Sequence, residues 1–477
     1  IGRAVVHDVR AGRLVEGGST LTMQIARMSR GNQSRNFWNK IVEAIWAVGI
    51  ELSYSKEEIL CIYASNAPFG GNVVGLEAAS WRYFGRPSHL LSWAECATLA
   101  VLPNSPSLIN VGRNRDELLR KRNRLLSMLR DDGVISNDEY ALYIEESLPE
   151  KPYPLEDITP HLLDNISRTH KGKTVVTTID MALQQRLQMV ADNYSQRYRS
   201  NHIEDIAILV ADVMTGTAMA YVGNSSLPSQ TRSVDMVMAE RSTGSVLKPF
   251  LYASMMTRGE ITPRMLIADT PLNLNGFSPS NYSKSHSGAV HANEAIMMSL
   301  NVPLVRMLTD YGIGRFMDDL KTLGMNTLHF SGDHYGASLI LGGAEGSLWN
   351  MLGMDASMAR MLNTYGPNGN RLNPAEIHPL HFSANESNDD AKVDRSPVDA
   401  SSIWYAFEAM SGLDRPEEES EWWQFSSMKR VAWKTGTSFG SRDAWALGVT
   451  PRYAVGVWVG NATGEGRAGM TGVGFAA

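Results

Sequence analysis

Ser242-Thr243-Gly244-Ser245-Val246-Leu247-Lys248-Pro249-Phe250 offers a serine with a lysine three residues later, at the head of the apolar run Leu251-Tyr252-Ala253-Ser254-Met255-Met256. The run reads as a buried helix. On a helix, positions i and i+3 share a face one turn apart, which puts the Lys248 amine within reach of the Ser245 hydroxyl. A serine is a weak nucleophile until a neighbour takes its proton, and an amine held in an apolar pocket loses its charge and can take it. The same S-x-x-K spacing recurs at Ser53/Lys56 and Ser426/Lys429, so the tetrad by itself is not diagnostic.

Two further groups follow in order. Ser299-Leu300-Asn301 is an S-x-N triplet, a pattern that also occurs at Ser34/Asn36 and Ser383/Asn385. Lys434-Thr435-Gly436-Thr437 contains a K-T-G that occurs once, after the strand-like Val431-Ala432-Trp433, and its glycine lets a ligand approach the backbone. Each part has a chemical task. Ser245 attacks an acyl carbon and Lys248 takes its proton. Ser299 and Asn301 relay protons and bind the substrate amide, while Lys434 and Thr435 supply a cation and a hydroxyl for a substrate carboxylate. Backbone N–H groups at Ser245 and near Thr437 form an oxyanion hole, each donor being worth about 3 kcal/mol of barrier.

The three groups in this order are the known signature of penicillin-binding proteins and class A β-lactamases. Thr243 through Phe250, Ser299-Leu300-Asn301-Val302-Pro303 and Lys434 through Ser438 resemble the penicillin-binding transpeptidase domain, over about residues 173 to 477. Ser441-Arg442-Asp443-Ala444-Trp445 resembles the 1C branch of that family. The resemblance implies D-Ala-D-Ala stem peptides as acyl donors, β-lactams as mimics that acylate Ser245, and no cofactor for transpeptidation.

The first third of the chain carries a second set of motifs. Glu16-Gly17-Gly18-Ser19-Thr20-Leu21-Thr22-Met23-Gln24 reads as a tight loop capping a helix, able to bind an anion or a sugar. Lys40-Ile41-Val42-Glu43 puts a cation and a carboxylate on one helical face, a spacing that usually means a surface ion pair. Lys56-Glu57-Glu58-Ile59-Leu60-Cys61-Ile62-Tyr63-Ala64-Ser65 opens a further helix. Together these resemble the peptidoglycan glycosyltransferases of glycosyltransferase family 51, and Lys121-Arg122 is similar to that family's final basic block. The resemblance implies that Gly17, Gly18, Ser19, Thr20, Gln24, Lys40, Lys56, Ser65, Lys121 and Arg122 line the site of a lipid-linked peptidoglycan precursor. Glu43 is implied as catalytic, with Lys40, Lys121 and Arg122 facing the diphosphate. A divalent cation for glycosyl transfer is part of the same implication.

The chain departs from that family in three places. Asn39 stands where an arginine is usual and Ser65 where an asparagine is. Residues 1 to 15 hold no glutamate to match the family's general base, which lies N-terminal to the G-G-S-T loop. The chain opens on Ile1, ends on Gly474-Phe475-Ala476-Ala477 and reads as cut at both ends, so the first domain is expected to be inactive as it stands. A membrane anchor is expected ahead of Ile1, with the catalytic domains on the periplasmic side of a bacterial inner membrane.

Composition sets the frame. Of 477 residues 43% are hydrophobic and 20% charged, ordinary for a protein with real cores. The net charge of −6 gives no basic field for nucleic acid. Cys61 and Cys96 sit in apolar helical patterns and are expected to be buried free thiols. The organisation expected is multidomain. A mostly α-helical, lysozyme-like glycosyltransferase lobe occupies 1–150 and a proline-rich linker 151–172. An α+β, β-lactamase-like serine transpeptidase domain with a central antiparallel sheet occupies 173–477. The function expected is peptidoglycan synthesis: polymerising lipid-linked disaccharide into glycan strands and cross-linking stem peptides. The alternatives are a D,D-carboxypeptidase or β-lactamase-type serine hydrolase, or a non-catalytic β-lactam-binding scaffold.

Overall fold

A computed structural model describes residues 19–31, 37–104, 114–153, 157–274, 276–384, 393–412 and 430–477. The chain forms two compact units, Ile1–Glu156 and Asp157–Ala477.

The described part of the first unit is helical: α1 (Leu21–Ser29), α2 (Phe37–Ser53), α3 (Lys56–Asn66), α4 (Leu76–Phe84), α5 (Trp93–Val101), α6 (Arg115–Asp131) and α7 (Asn137–Glu145). A short antiparallel pair, β1 (Pro68–Gly70) and β2 (Val73–Val74), interrupts them. Three helices start on serines, Ser55, Ser92 and Ser136. In each the hydroxyl accepts from the N–H three residues on, and Glu58, Glu95 or Glu139 reaches back to complete the cap. Phe69, Tyr83, Leu99, Leu102 and Leu118 build the main core of this unit. Cys61 and Cys96 are free as expected but exposed rather than buried. The inward positions of their helices are taken by Ile59 on α3 and by Ala94, Ala97 and Leu99 on α5.

The second unit begins earlier than its sequence suggested. Helix α8 (Pro160–Thr169) lies inside the stretch read as linker, and its Leu162 is buried in a core shared with the sheet. The β-branched stretch 173–178 contributes only an isolated bridge between Thr177 and Ser383. After α9 (Met181–Tyr198) comes the hairpin of β3 (Asp205–Asp212) and β4 (Ala218–Val222). β5 (Arg241–Ser242) precedes α10 (Lys248–Thr257), β6 (Leu266–Asp269), β7 (Gly288–His291), α11 (Ala292–Met297), α12 (Val302–Tyr311) and α13 (Ile313–Leu323). β8 (Glu345–Gly346), α14 (Leu348–Tyr365), α15 (Ala400–Ser411), β9 (Ala432–Thr437), β10 (Asp443–Val449) and β11 (Tyr453–Gly460) complete it.

The central sheet is antiparallel throughout, in the order β4-β3-β11-β10-β9. Strand β3 reads as a continuous apolar run because both sheet faces are covered. Ala207, Leu209 and Ala211 face a core with Trp445, Leu447, Trp458 and the α14 residues Leu348 and Leu352. Ile206 and Ile208 face the other side, with Ala191 of α9, Val222, Ala444, Ala446 and Val459. A third core, mostly helical, joins α10 to α13 and α15 through Phe250, Leu251, Leu304, Leu308, Phe316 and Ile403. Strand β9 is an edge of the sheet, so one side of its backbone is left for something other than a strand.

Leu209 is fully buried in the centre of this sheet. Leu209→Ala is expected to cost the second unit about 2–5 kcal/mol, read as a lower denaturant midpoint at unchanged slope. A loss under about 1 kcal/mol would contradict its placement.

Candidate active sites

The nucleophile turn is suspended from three neighbours. Ser242 Oγ donates to Gly342 O at 2.7 Å, Thr243 Oγ1 to Ala344 O at 3.1 Å, and Trp445 Nε1 to Ser242 O at 2.8 Å. Gly244 then takes φ +54°, a conformation in which side chains are strained. Ser245 follows in the turn, and the helix begins only at Lys248, with Pro249 in its first turn where no N–H is lost. The two residues are joined by one turn, the N–H of Lys248 donating to Ser245 O at 3.4 Å, rather than by a shared α-helix as their spacing suggested. Lys248 opens α10, and Ser245 lies in the turn before it.

Two glycines bring this turn onto β9. A Cβ on Gly244 would lie 2.7 Å from Thr437 N and 2.8 Å from Thr437 O. One on Gly436 would lie 2.8 Å from both Thr243 O and Val246 Cγ2. The free edge of β9 is thus apposed to the turn that carries Ser245. Thr437 Oγ1 accepts from the N–H of Gly472 at 3.0 Å.

Lys248 is fully buried. Its Nζ donates to Ser299 O at 2.8 Å and to Asn301 Oδ1 at 2.7 Å. Asn301 Nδ2 donates to Ser280 O at 2.8 Å, so its Oδ1 has to face the lysine. Burial, and then the charge of nearby Lys434, hold the Lys248 amine well below the usual lysine range. A neutral amine has two N–H groups and one lone pair. With both N–H groups engaged by carbonyl oxygens, the lone pair is the valence left to take a proton. Ser245 Oγ, half-buried, has no hydrogen-bond partner among the described residues.

Ser299 joins the two lysines. Its carbonyl accepts from Lys248, and its Oγ accepts from Lys434 Nζ at 2.8 Å. It does so at φ +52°, a left-handed backbone that a non-glycine residue adopts at a cost of about 1–3 kcal/mol. Lys434 also donates to Thr435 O at 2.7 Å, and burial pushes its amine down to about 7. Lys434 and Thr435 are both buried, and Lys434 contacts the Ser299 hydroxyl. The residues that support Asn301 escaped the sequence reading.

In the first unit Gly17 and Gly18 lie outside the described residues. Ser19 leads into Thr20, which caps α1 by accepting from the N–H of Met23 at 3.2 Å, as the loop reading required. Gln24 Oε1 accepts from the Tyr63 hydroxyl at 3.3 Å, joining α1 to α3. Thr22 Oγ1 donates to Glu51 at 2.5 Å, and Lys56 pairs with the same carboxylate, which is held low first by Lys56 and then by Thr22. Glu43 is buried and Lys40 exposed, and no ion pair joins them, contrary to the usual meaning of their spacing. Ser65 is exposed on the last turn of α3, and Lys121 is half-buried on α6.

Arg122 corrects an expectation. It is buried, and its guanidinium donates to Ile144 O at 3.0 Å, to Glu146 O, and to Asn123 Oδ1 at 2.9 Å. It satisfies the carbonyls at the end of α7 rather than facing a phosphate. Among the described residues no group of three or more His, Cys, Asp or Glu could hold a metal ion.

A family model described as transglycosylase matches residues 1–130, and one described as penicillin binding protein transpeptidase domain matches residues 206–471. The chain belongs to the class A penicillin-binding proteins. It is 34% identical over 99% of its length to penicillin-binding protein 1C of Escherichia coli K12, covering 59% of that protein. It is 27% identical over 96% of its length to penicillin-binding protein 1F of Bacillus subtilis 168, covering 66% of it. The chain thus spans less than two thirds of either relative. In fold it is similar to penicillin-binding protein 1A from Haemophilus influenzae, with TM-score 0.58, 17% identity, 94% of this chain and 85% of that one covered.

The Lys434 amine, pushed by burial to about 7 in the folded chain against an ordinary 10.5, fixes a pH dependence. Below about 7 both states hold the proton, and burying the charge weakens the fold in full. Between about 7 and 10.5 the unfolded chain holds more protons than the folded one, so stability rises with pH. Lys434→Met is expected to reduce that rise, measured as denaturant stability across the window. An unchanged slope would place the Lys434 charge in water.

Proposed function

We propose that the second unit cross-links peptidoglycan stem peptides by acyl transfer through Ser245, and that the first polymerises the lipid-linked disaccharide. The observation that carries the first part is the buried Lys248 amine, with both N–H groups engaged and its lone pair left over, three residues after a serine. Ser245 Oγ attacks the carbonyl carbon of the D-Ala-D-Ala bond as its proton passes to Lys248. The oxyanion forms against the backbone N–H groups of Ser245 and Thr437. As the C–N bond breaks, the leaving D-Ala amine takes a proton by way of Lys248 and the Ser299 hydroxyl. An amine of a second stem peptide then attacks the ester and regenerates Ser245. β-Lactams take the place of the donor.

For glycosyl transfer, Glu43 is the proposed acid-base or positioning carboxylate, with Lys40 and Lys121 toward the diphosphate. The precursor is lipid-linked, and the proposed location is the periplasmic side of the inner membrane. No described helix is long and apolar enough to cross a membrane.

Labelled penicillin is expected to acylate the protein once, with mass spectrometry locating the adduct on Ser245 and none on Ser245→Ala. An adduct elsewhere, or none on folded protein, would defeat the proposal. Rapid multiple turnover of a chromogenic β-lactam would favour a hydrolase. In the full-length protein, Glu43→Gln is expected to abolish most polymerisation of lipid-linked disaccharide; unchanged polymerisation would remove Glu43 from the site.

A further inference from the structure

We infer that Ser280 and Asn281, anchored by Asp269, are positioning residues that aim the Lys248 lone pair at Ser245; the inference rests on the acyl-transfer reading of the second unit. Asn301 is the residue before α12, where a short polar side chain normally turns back to satisfy the first free N–H groups of its helix. It makes no such bond. Its Oδ1 accepts from Lys248 Nζ at 2.7 Å and its Nδ2 donates to Ser280 O at 2.8 Å, so the whole amide is committed elsewhere.

The helix start is satisfied from outside. Asn281 Oδ1 accepts from the N–H of Asn301 at 2.9 Å and from that of Val302 at 3.1 Å. Asn281 thus engages the first two N–H groups of the helix start from a separate loop, while the Asn301 side chain holds the lysine. One turn of backbone grips Asn301 twice: the Ser280 carbonyl fixes which way its amide faces, and the Asn281 side chain fixes its backbone.

Asn281 is itself held in one orientation. Its Nδ2 donates to Asp269 Oδ1 at 2.8 Å and to Ser285 O at 3.0 Å. Asp269, on β6, also accepts from the N–H of Ser287 at 2.8 Å and lies 3.4 Å from His286 Nδ1. Asn281 and Asp269 are 2% and 1% exposed. An amide flipped at either asparagine would set donor against donor in a buried site, so only one arrangement satisfies the set. The chain of contacts runs from Asp269 through Asn281 and Asn301 to the Lys248 amine.

The test is stopped-flow acylation by labelled penicillin, separating the acylation rate at saturation from the binding constant, across pH. Asn281→Ala is expected to lower the acylation rate about 10- to 100-fold with binding within about twofold, and to displace the ascending limb of the pH profile. Asp269→Asn keeps the shape of the site but removes the anionic anchor, and is expected to change rate and profile in the same sense by a smaller factor. Folded variants with wild-type rate and pH limb, whatever their melting temperatures, would reduce both residues to a structural cap and overturn the inference. If Asn281→Ala does not fold, Asp269→Asn alone decides. Wild-type protein that takes no label at Ser245 would instead defeat the acyl-transfer reading beneath it.

Discussion

The second unit depends on one buried amine. Among the described residues Lys248 meets no carboxylate; it has two carbonyl oxygens, from Ser299 and Asn301, and a second lysine nearby. Burying an ammonium without a counter-charge is costly, so burial lowers the amine's hold on its proton. The fold thereby favours the form that the proposed base requires.

Holding that amine in place makes demands on the rest of the unit. The apolar face of α10 sets its depth through Phe250 and Leu251 in the helical core. The left-handed backbone of Ser299 brings a carbonyl to one lysine and a hydroxyl to the other. Gly244 and Gly436 let the nucleophile turn lie directly on an edge strand. Trp445, itself packed against Trp458 in the sheet core, reaches out to fix the carbonyl of Ser242. A rigid sheet and a helical lobe thus meet along β9, and the reactive groups are drawn from both.

Much of this was legible in the sequence, for identifiable reasons. The central antiparallel sheet and the helical first lobe were expected from the sequence, and Thr20 caps its helix as the G-G-S-T loop reading required. The three catalytic groups could be named because their side-chain chemistry is unusual in order and combination. The errors lay where local pattern meets tertiary context. A proline-rich stretch hid α8, because Pro160 starts a helix as readily as it breaks one. Arg122 looked like a phosphate ligand because charge is visible in a sequence and burial is not. Asn281 and Asp269 were silent, since a hydrogen bond spanning loop, strand and helix start leaves no periodic trace.

The ionisation of Lys248 is the most direct point of attack. Nitrogen-15 NMR of side-chain-labelled protein, with Lys248→Arg to assign the signal, follows its Nζ across pH. An amine that titrates well below the ordinary lysine range is the expected result. An ammonium that persists to about pH 10 in protein that still acylates at Ser245 would show that Lys248 is not the base.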